Sequence, residues 1–433
     1  MSDVASVRAA EGPIIADVRV PPSKSVANRA LVCAALADGT SEIRGIAPGD
    51  DTAVMLDGLE RLGCGIATHE IDGVLVTDVI GVGGEFASAE RTLSTKLAGT
   101  TSRFLTALAA LVPSPTTIDG DPPLRARPMG PLHESLHALG AEVEPGERPG
   151  HLPVTVQGPL RGADAIVMPG DVSSQYVSAL MLIGPYVPGG VKMWLSTDPV
   201  SRPYLELTRS VMAAFGVLDV DVEGRRIAVA SDVYGARTYE VEADASSASY
   251  PLAAAAIVGG AVVVRGLGSG SQQGDRRFVE LLEAMGCVVT NGERDTVVMR
   301  RRDTPLRGID VDMADISDLV PTLAVVATQA VTPTHIRGVG FIRAKESDRL
   351  GDLASELNRA GADVTVDDDG LTIRPRDLLT AARFNTYHDH RLAMSLGLLG
   401  LVVDGVEVVD PGVVSKSWPE YWDMLASLPA RHR

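Results

Sequence analysis

Basic and amide side chains gather at particular points of a chain that is acidic overall. The stretch PPSKSVANRALVCAALADG opens with Lys24, Ser25, Asn28 and Arg29 and turns apolar at once through Ala30, Leu31, Val32, Ala34, Ala35 and Leu36. Further along stand Arg127 in LRARPMG, Gln175 in DVSSQYV, Arg202 in VSRPYLEL, Lys345 and Arg349 in RAKESDRL, Arg391 in YHDHRLAM and Lys416 in SKSWPEYW. The planar fork of arginine pairs with phosphate or carboxylate through two bonds, and lysine can also move a proton. A single such charge is usually solvated surface. Repeated at several junctions, the pattern predicts a ligand carrying several negative charges.

Two other chemistries are excluded. The SKS at Ser23–Ser25 is no nucleotide-binding loop, because that loop needs GxxxxGK[ST] and Lys24 is preceded by VPPS. His388, Asp389 and His390 alternate at a strand-to-helix junction without a complete ligand set, and the other histidines are scattered, so no metal site is expected.

The elements that would position these residues repeat. Polar starts followed by Ala- and Leu-rich runs begin at Ser25, Gly99, Ser173, Ser246, Asp318 and Asp389, at intervals of 74, 74, 73, 72 and 71 residues. That period reads as six copies of one unit of about 72 residues. Between them lie helices of a second type ending LERLGCGI, LHALGAEV, VMAAFGVL, LLEAMGCVV and ELNRAGADV, whose glycines Gly63, Gly140, Gly216, Gly286 and Gly361 fit helix stops followed by strands. Short β-rich runs such as SEIRGI, TTIDG, VKMWLS, AVVVRGL, THIRGV and VEVVD follow the first-type helices. Those first-type helices lack a polar face after their first turn, the pattern of helices buried all round. Their N-termini carry unpaired N–H groups and about half a positive charge, so several converging would hold an anion. Ser, Gly and Asp also begin helices simply because they cap them well, but capping needs neither Lys24, Arg29 nor Gln175.

With 433 residues, 45% of them hydrophobic, two domains of three units each are expected. A net charge of −17 repels nucleic acid and anionic membranes, so any anion site is a local basic pocket. Neither a signal peptide nor a run of about 18 uninterrupted apolar residues is present, which predicts a soluble cytoplasmic protein. Cys33, Cys64 and Cys287, odd in number and far apart, suit buried thiols.

The segments KSVANRA, AGTTSRF, ARPM, DVSSQY, SRPY, DASSASYPLAAAA, QGDRRF, AKESDRL, YHDHRLAM and SKSWPEY occur in the order found in the 5-enolpyruvylshikimate-3-phosphate synthase family. They span residues 21 to about 422, and the chain resembles that family over nearly its whole length. The resemblance implies an α/β protein built as a two-domain inside-out α/β barrel, with three repeats per domain and an active site in the interdomain cleft that closes on the substrates. The chain would cross between domains near Pro22 and Ala243, giving one domain from 1–21 plus 244–433, completed by the N-terminal strand, and an inserted domain over 22–243. The implied reaction moves the carboxyvinyl group of phosphoenolpyruvate to the 5-hydroxyl of shikimate 3-phosphate, in the route to chorismate and the aromatic amino acids. It implies no metal, no cofactor and a monomer.

Carried over by motif, Lys24, Ser25 and Arg29 contact the substrates, Lys24 serving both. Ser173, Ser174, Ser201 and Tyr204 hold shikimate 3-phosphate, with Asp318 and Lys345 also on that ligand and Gln175 between the two substrates. Gly99, Arg127, Arg349, Arg391 and Lys416 surround phosphoenolpyruvate, and Asp318, Glu346, Lys345 and Lys24 form the catalytic set. The chemistry agrees. Attack of a hydroxyl on C2 of an enol ether needs a base for the hydroxyl and an acid for the methylene carbon, with both transfers reversed on elimination. Asp318 and Glu346 are the carboxylates beside the anion-binding motifs, though either alone is more often a helix cap or an ion-pair partner. The chain departs from some family members at Leu97, Phe104 and Phe341, the last standing where some have an asparagine on shikimate 3-phosphate. Two other readings are a sister enzyme acting on UDP-N-acetylglucosamine, which has a reactive cysteine in its second unit where this chain has none between Cys64 and Cys287, and a silent anion-binding protein. A close analogue of shikimate 3-phosphate as acceptor is a third.

Overall fold

The computed structural model describes residues 4–428 apart from positions 48 and 72. Two compact units divide the chain: one comprises residues 22–241, the other residues up to 21 together with those from 242 onward.

Alternation of apolar and polar residues builds the sheets. In Val191–Leu195, VKMWL, the side chains of Val191, Met193 and Leu195 are buried while Lys192 and Trp194 face out, the period-2 pattern of a strand with one covered face. Six sheets occur among the described residues, five of four strands and one of three. Their wiring repeats. Asp38–Arg44 runs parallel to Thr238–Glu240 on one side and antiparallel to Val74–Val82 on the other, and Val74–Val82 pairs antiparallel with Gly65–Ile71. The strands Thr116–Asp119, Val191–Leu195, Gly260–Arg265 and Thr334–Arg337 each have the same neighbours in kind. Sequence-early strands complete two sheets of the other unit: Ile14–Arg19 lies parallel to Gly260–Arg265, and Val4–Ser6 pairs antiparallel with Glu407–Val409.

Inside each unit run the Ala-rich helices: Lys24–Leu36, Gly99–Ala109 and Ser174–Ile183 in one, Ala245–Val258, Val320–Ala327 and His390–Gly397 in the other. Every residue of Ala245–Val258 is buried, so small side chains are what let neighbouring elements close around it. Hydroxyls in this apolar interior find each other. Ser249 Oγ lies 3.4 Å from Thr322 Oγ1, which lies 3.2 Å from Ser395 Oγ, tying the three helices of that unit at one level. The second-type helices Asp50–Leu62, Gly130–Ala138, Pro203–Ala214, Phe278–Ala284 and Gly351–Arg359 each run into one of the stop glycines, all at positive φ between 86° and 109°. One boundary differs from expectation: the helix expected from Asp318 begins at Val320, and Asp318 sits in the 3₁₀ turn Ala314–Leu319 before it. Among the described residues, no helix is long and apolar enough to cross a membrane.

Candidate functional site

In the unit of residues 22–241, the expected ligands stand at helix starts. Lys24 is the first residue of its helix, and its Nζ lies 2.9 Å from Asp51 Oδ2, both side chains largely buried. Ser23, at the cap position, makes no side-chain cap bond, and neither does Ala98 before Gly99. These two helix starts are thus not closed by their own cap residues. Gly99 has a steric role, because a Cβ there would come within 2.6 Å of Arg127 Nη1 and 2.7 Å of Arg103 Nη1. Only a glycine lets two guanidinium groups lie against that first turn. Arg103 donates to Gly99 O at 2.7 Å.

At the third helix Ser173 caps in the ordinary way, accepting from Gln175 N at 3.3 Å, and Ser174 is buried behind it. Gln175 Nε2 donates to Thr100 Oγ1 at 3.1 Å, which links this start to the Gly99 turn. Gln175 Oε1 is buried with no partner, an acceptor aimed at nothing within its unit. Ser201 holds a φ of 53° and is buried, a strained position for a non-glycine residue. Arg29 is turned inward. It donates to Thr208 Oγ1 at 2.7 Å, Ser25 O at 2.8 Å, Ser178 Oγ at 3.2 Å and Tyr204 O at 3.4 Å, and lies over the rings of Phe104 and Tyr204. Burial pushes its guanidinium down to about 10. Arg29 therefore fixes the backbone of Ser25 and Tyr204 from beneath. Arg202 is exposed, a surface charge.

In the other unit the cations and carboxylates interlock. Arg349 is 1% exposed, with Nε 2.7 Å from Asp389 Oδ2, Nη1 2.8 Å from Asp318 Oδ1 and Nη2 2.8 Å from Glu346 Oε2. Arg391 Nη2 reaches Asp318 Oδ2 at 2.8 Å, and Lys416 Nζ reaches Glu346 Oε1 at 3.0 Å. Lys345 follows the 3₁₀ turn Gly340–Ala344, its ammonium 5.7 Å from the centre of the Phe341 ring. Burial alone would raise the Asp318 carboxyl, but Arg391, Lys345 and Arg349 outweigh it and hold the group well below the usual carboxylate range. For Arg349 burial works against the charge, and Asp389, Glu346 and Asp318 reverse that and raise it. Asp318, Glu346, Arg349, Arg391 and Lys416 are thus one cluster.

Four residues in these sets escaped the sequence reading. Asp389 is fully buried, caps its helix by accepting from Arg391 N at 2.9 Å, and also accepts from Ser347 Oγ at 3.2 Å. The sequence places it at a helix start, where it can cap, and excludes it as a metal ligand, but gives no sign that it partners Arg349. Asp51 holds Lys24, and Arg103 backs Gly99. Asp275 is buried, accepts from Ser246 Oγ, and is pushed up to about 6 by burial and then by the charge of Asp318. Both Arg103 and Asp275 lie in segments already singled out, AGTTSRF and QGDRRF. Among the described residues no cluster of three or more His, Cys, Asp or Glu could hold a metal ion.

Comparison with known proteins follows the same lines. The profile described as EPSP synthase (3-phosphoshikimate 1-carboxyvinyltransferase) matches residues 9–425. A 3-phosphoshikimate 1-carboxyvinyltransferase of Methanoculleus marisnigri is 42% identical over 417 residues, covering 96% of this chain and 97% of that protein. The EPSP synthase structure from Acinetobacter baumannii superposes with a TM-score of 0.79 at 25% identity, covering 98% of this chain and 97% of that one. The enolpyruvyl transferase NikO from Streptomyces tendae, at 19% identity and a TM-score of 0.77 over 99% and 97% of the two chains, shares the fold.

Proposed function

Because the chain belongs to the EPSP synthase family, we propose that it transfers the carboxyvinyl group of phosphoenolpyruvate to the 5-hydroxyl of shikimate 3-phosphate, releasing phosphate. The product, 5-enolpyruvylshikimate 3-phosphate, leads to chorismate and the aromatic amino acids. The observation that carries this reading is the cluster around Arg349, in which carboxylates able to move protons are held by the cations that anionic substrates would claim.

The phosphate and carboxylate of phosphoenolpyruvate are matched to arginine forks and take Arg349, Arg391, Lys416 and Arg127 as partners, with Gly99 allowing close approach. As Arg391 and Arg349 turn to the substrate, Asp318 loses the charges that depress its basicity. It then accepts the proton of the 5-hydroxyl while that oxygen bonds to C2, and Glu346 donates a proton to the methylene carbon, giving a tetrahedral adduct. Glu346 retrieves a proton from the same carbon as the C2–O bond to phosphate breaks, Asp318 returns its proton to the leaving phosphate oxygen, and the phosphate departs among the cations. Ser173, Ser174, Gln175, Ser201 and Tyr204 hold shikimate 3-phosphate, with Ser25 positioned by Arg29 and Lys24 serving both substrates. The protein works as a monomer in the cytoplasm.

The test is phosphate release from phosphoenolpyruvate in the presence of shikimate 3-phosphate, of UDP-N-acetylglucosamine, or of neither. Release dependent on shikimate 3-phosphate is expected, without added metal. Release only with the nucleotide sugar, or its abolition by a chelator, would overturn the reading.

A further inference from the structure

Phe341 belongs to the 3₁₀ turn Gly340–Ala344 and packs against the buried core of its unit, so its ring is fixed from behind. Four residues on, Lys345 leaves the turn at φ −85° and ψ −142°, and its ammonium comes to lie 5.7 Å from the centre of that ring. The charge of Lys345 also reaches Asp318, acting with Arg391 and Arg349 to keep it ionised.

A lysine side chain has many rotamers, and ordering it during each turnover slows the reaction. We propose that Phe341 is a positioning residue, whose aromatic face holds the Lys345 ammonium in place beside Asp318 before the substrates react. The attraction is between the cation and the negative face of the ring, so it needs an aromatic residue and not merely an apolar one. The inference rests on the reaction assigned above.

The experiment compares Phe341→Leu, Phe341→Met and Phe341→Tyr with the parent protein at saturating phosphoenolpyruvate and shikimate 3-phosphate. Leu and Met keep apolar volume without a ring, and Met adapts most easily to the packing. Their kcat should fall by roughly threefold to thirtyfold, the range such contacts supply at partly buried positions, while KM for phosphoenolpyruvate stays within about twofold. Phe341→Tyr should restore kcat. A second measurement needs no activity: the drop in Tm from Phe341→Leu should be smaller in a Lys345→Met background than in the parent, because the contact is already gone there. Equal drops in both backgrounds, or a tyrosine variant as slow as the leucine one, would overturn the proposal. Failure of the parent protein to release phosphate would instead count against the assigned reaction, and the Tm cycle would still decide whether ring and ammonium are coupled.

Discussion

The two units present charge differently. Around Arg349 every named cation faces a carboxylate: Arg349 meets Asp389, Asp318 and Glu346, Arg391 meets Asp318, and Lys416 meets Glu346. At the helix starts of residues 22–241, Lys24 meets Asp51, whereas Arg103 and Arg127 crowd over the bare first turn at Gly99, and Gln175 and the serines contribute only dipoles. The first arrangement is electrically closed and keeps its shape by mutual attraction. The second is held in shape from below, by Arg29 and the buried helices, and gathers guanidinium, amide and hydroxyl groups at helix starts. An anion must displace carboxylates to enter the first set, which couples binding to the release of bases.

The largest expected effect breaks the closed set chemically. Asp318→Asn and Glu346→Gln keep shape and hydrogen bonding but not proton exchange, and turnover should fall by about 10² to 10⁴, roughly 3 to 5 kcal/mol in the transition state. Shikimate 3-phosphate binding, followed by calorimetry, should persist. Near-normal turnover with lost affinity in Asp318→Asn would make that residue a ligand and not the base.

Next in size, Arg349→Ala leaves Asp389 buried with no guanidinium beside it. Removing one partner of a buried pair costs about 3 to 5 kcal/mol, so denaturant unfolding should show a loss of that order. Arg127→Ala, at the Gly99 turn, should show less than about 1 kcal/mol and mainly a higher KM for phosphoenolpyruvate. Comparable losses of stability in the two variants would erase the distinction between the two sets.

The fold was legible where one physical cause dominates. Ala-rich runs with no polar face could only be buried helices, and the period of their starts exposed the repeat without any knowledge of contacts. The cations of the site were equally legible, because a positive side chain in an acidic chain stands out. Their partners were not. Asp389, Asp51 and Asp275 are carboxylates among the chain's 56 acidic residues, and nothing in sequence distinguishes a buried one from a solvated one. Arg29 was read as a ligand-facing cation; burial and four oxygen partners, from Ser25, Ser178, Tyr204 and Thr208, became visible only in three dimensions.

Acidity sharpens the comparison further. Asp275 has a carboxyl raised from 3.8 to about 6 by burial and by Asp318, so between those values the folded chain keeps a proton that the unfolded chain has released. Stability from this group therefore falls as pH rises from about 4 to about 6, by an amount on the order of 3 kcal/mol. Asp318 has the opposite sign, its stabilisation being present above its unfolded value and lost as pH drops below about 4. Tm measured from pH 4 to pH 7 should decline less steeply in Asp275→Asn than in the parent, and parallel curves would show that Asp275 is not the group responsible. The smallest effect belongs to the Gly99 turn. Gly99→Ala places a Cβ against the ends of two flexible arginines, so the fold should survive while KM for phosphoenolpyruvate rises about tenfold, near 1.4 kcal/mol. An unchanged KM would mean that the first turn at Gly99 is not where that substrate lies.

The pairing of Ile14–Arg19 with Gly260–Arg265 has a consequence during synthesis. At ribosomal rates of roughly 5 to 20 residues per second, the later strand emerges some ten to fifty seconds after the earlier one. Throughout that interval the inward row of Ile14, Ala16 and Val18 has no sheet to join, whereas residues 22–241 can already form their own helices and sheets. The nascent chain thus carries an unpaired edge, open to wrong pairing with other chains, until its partner is made.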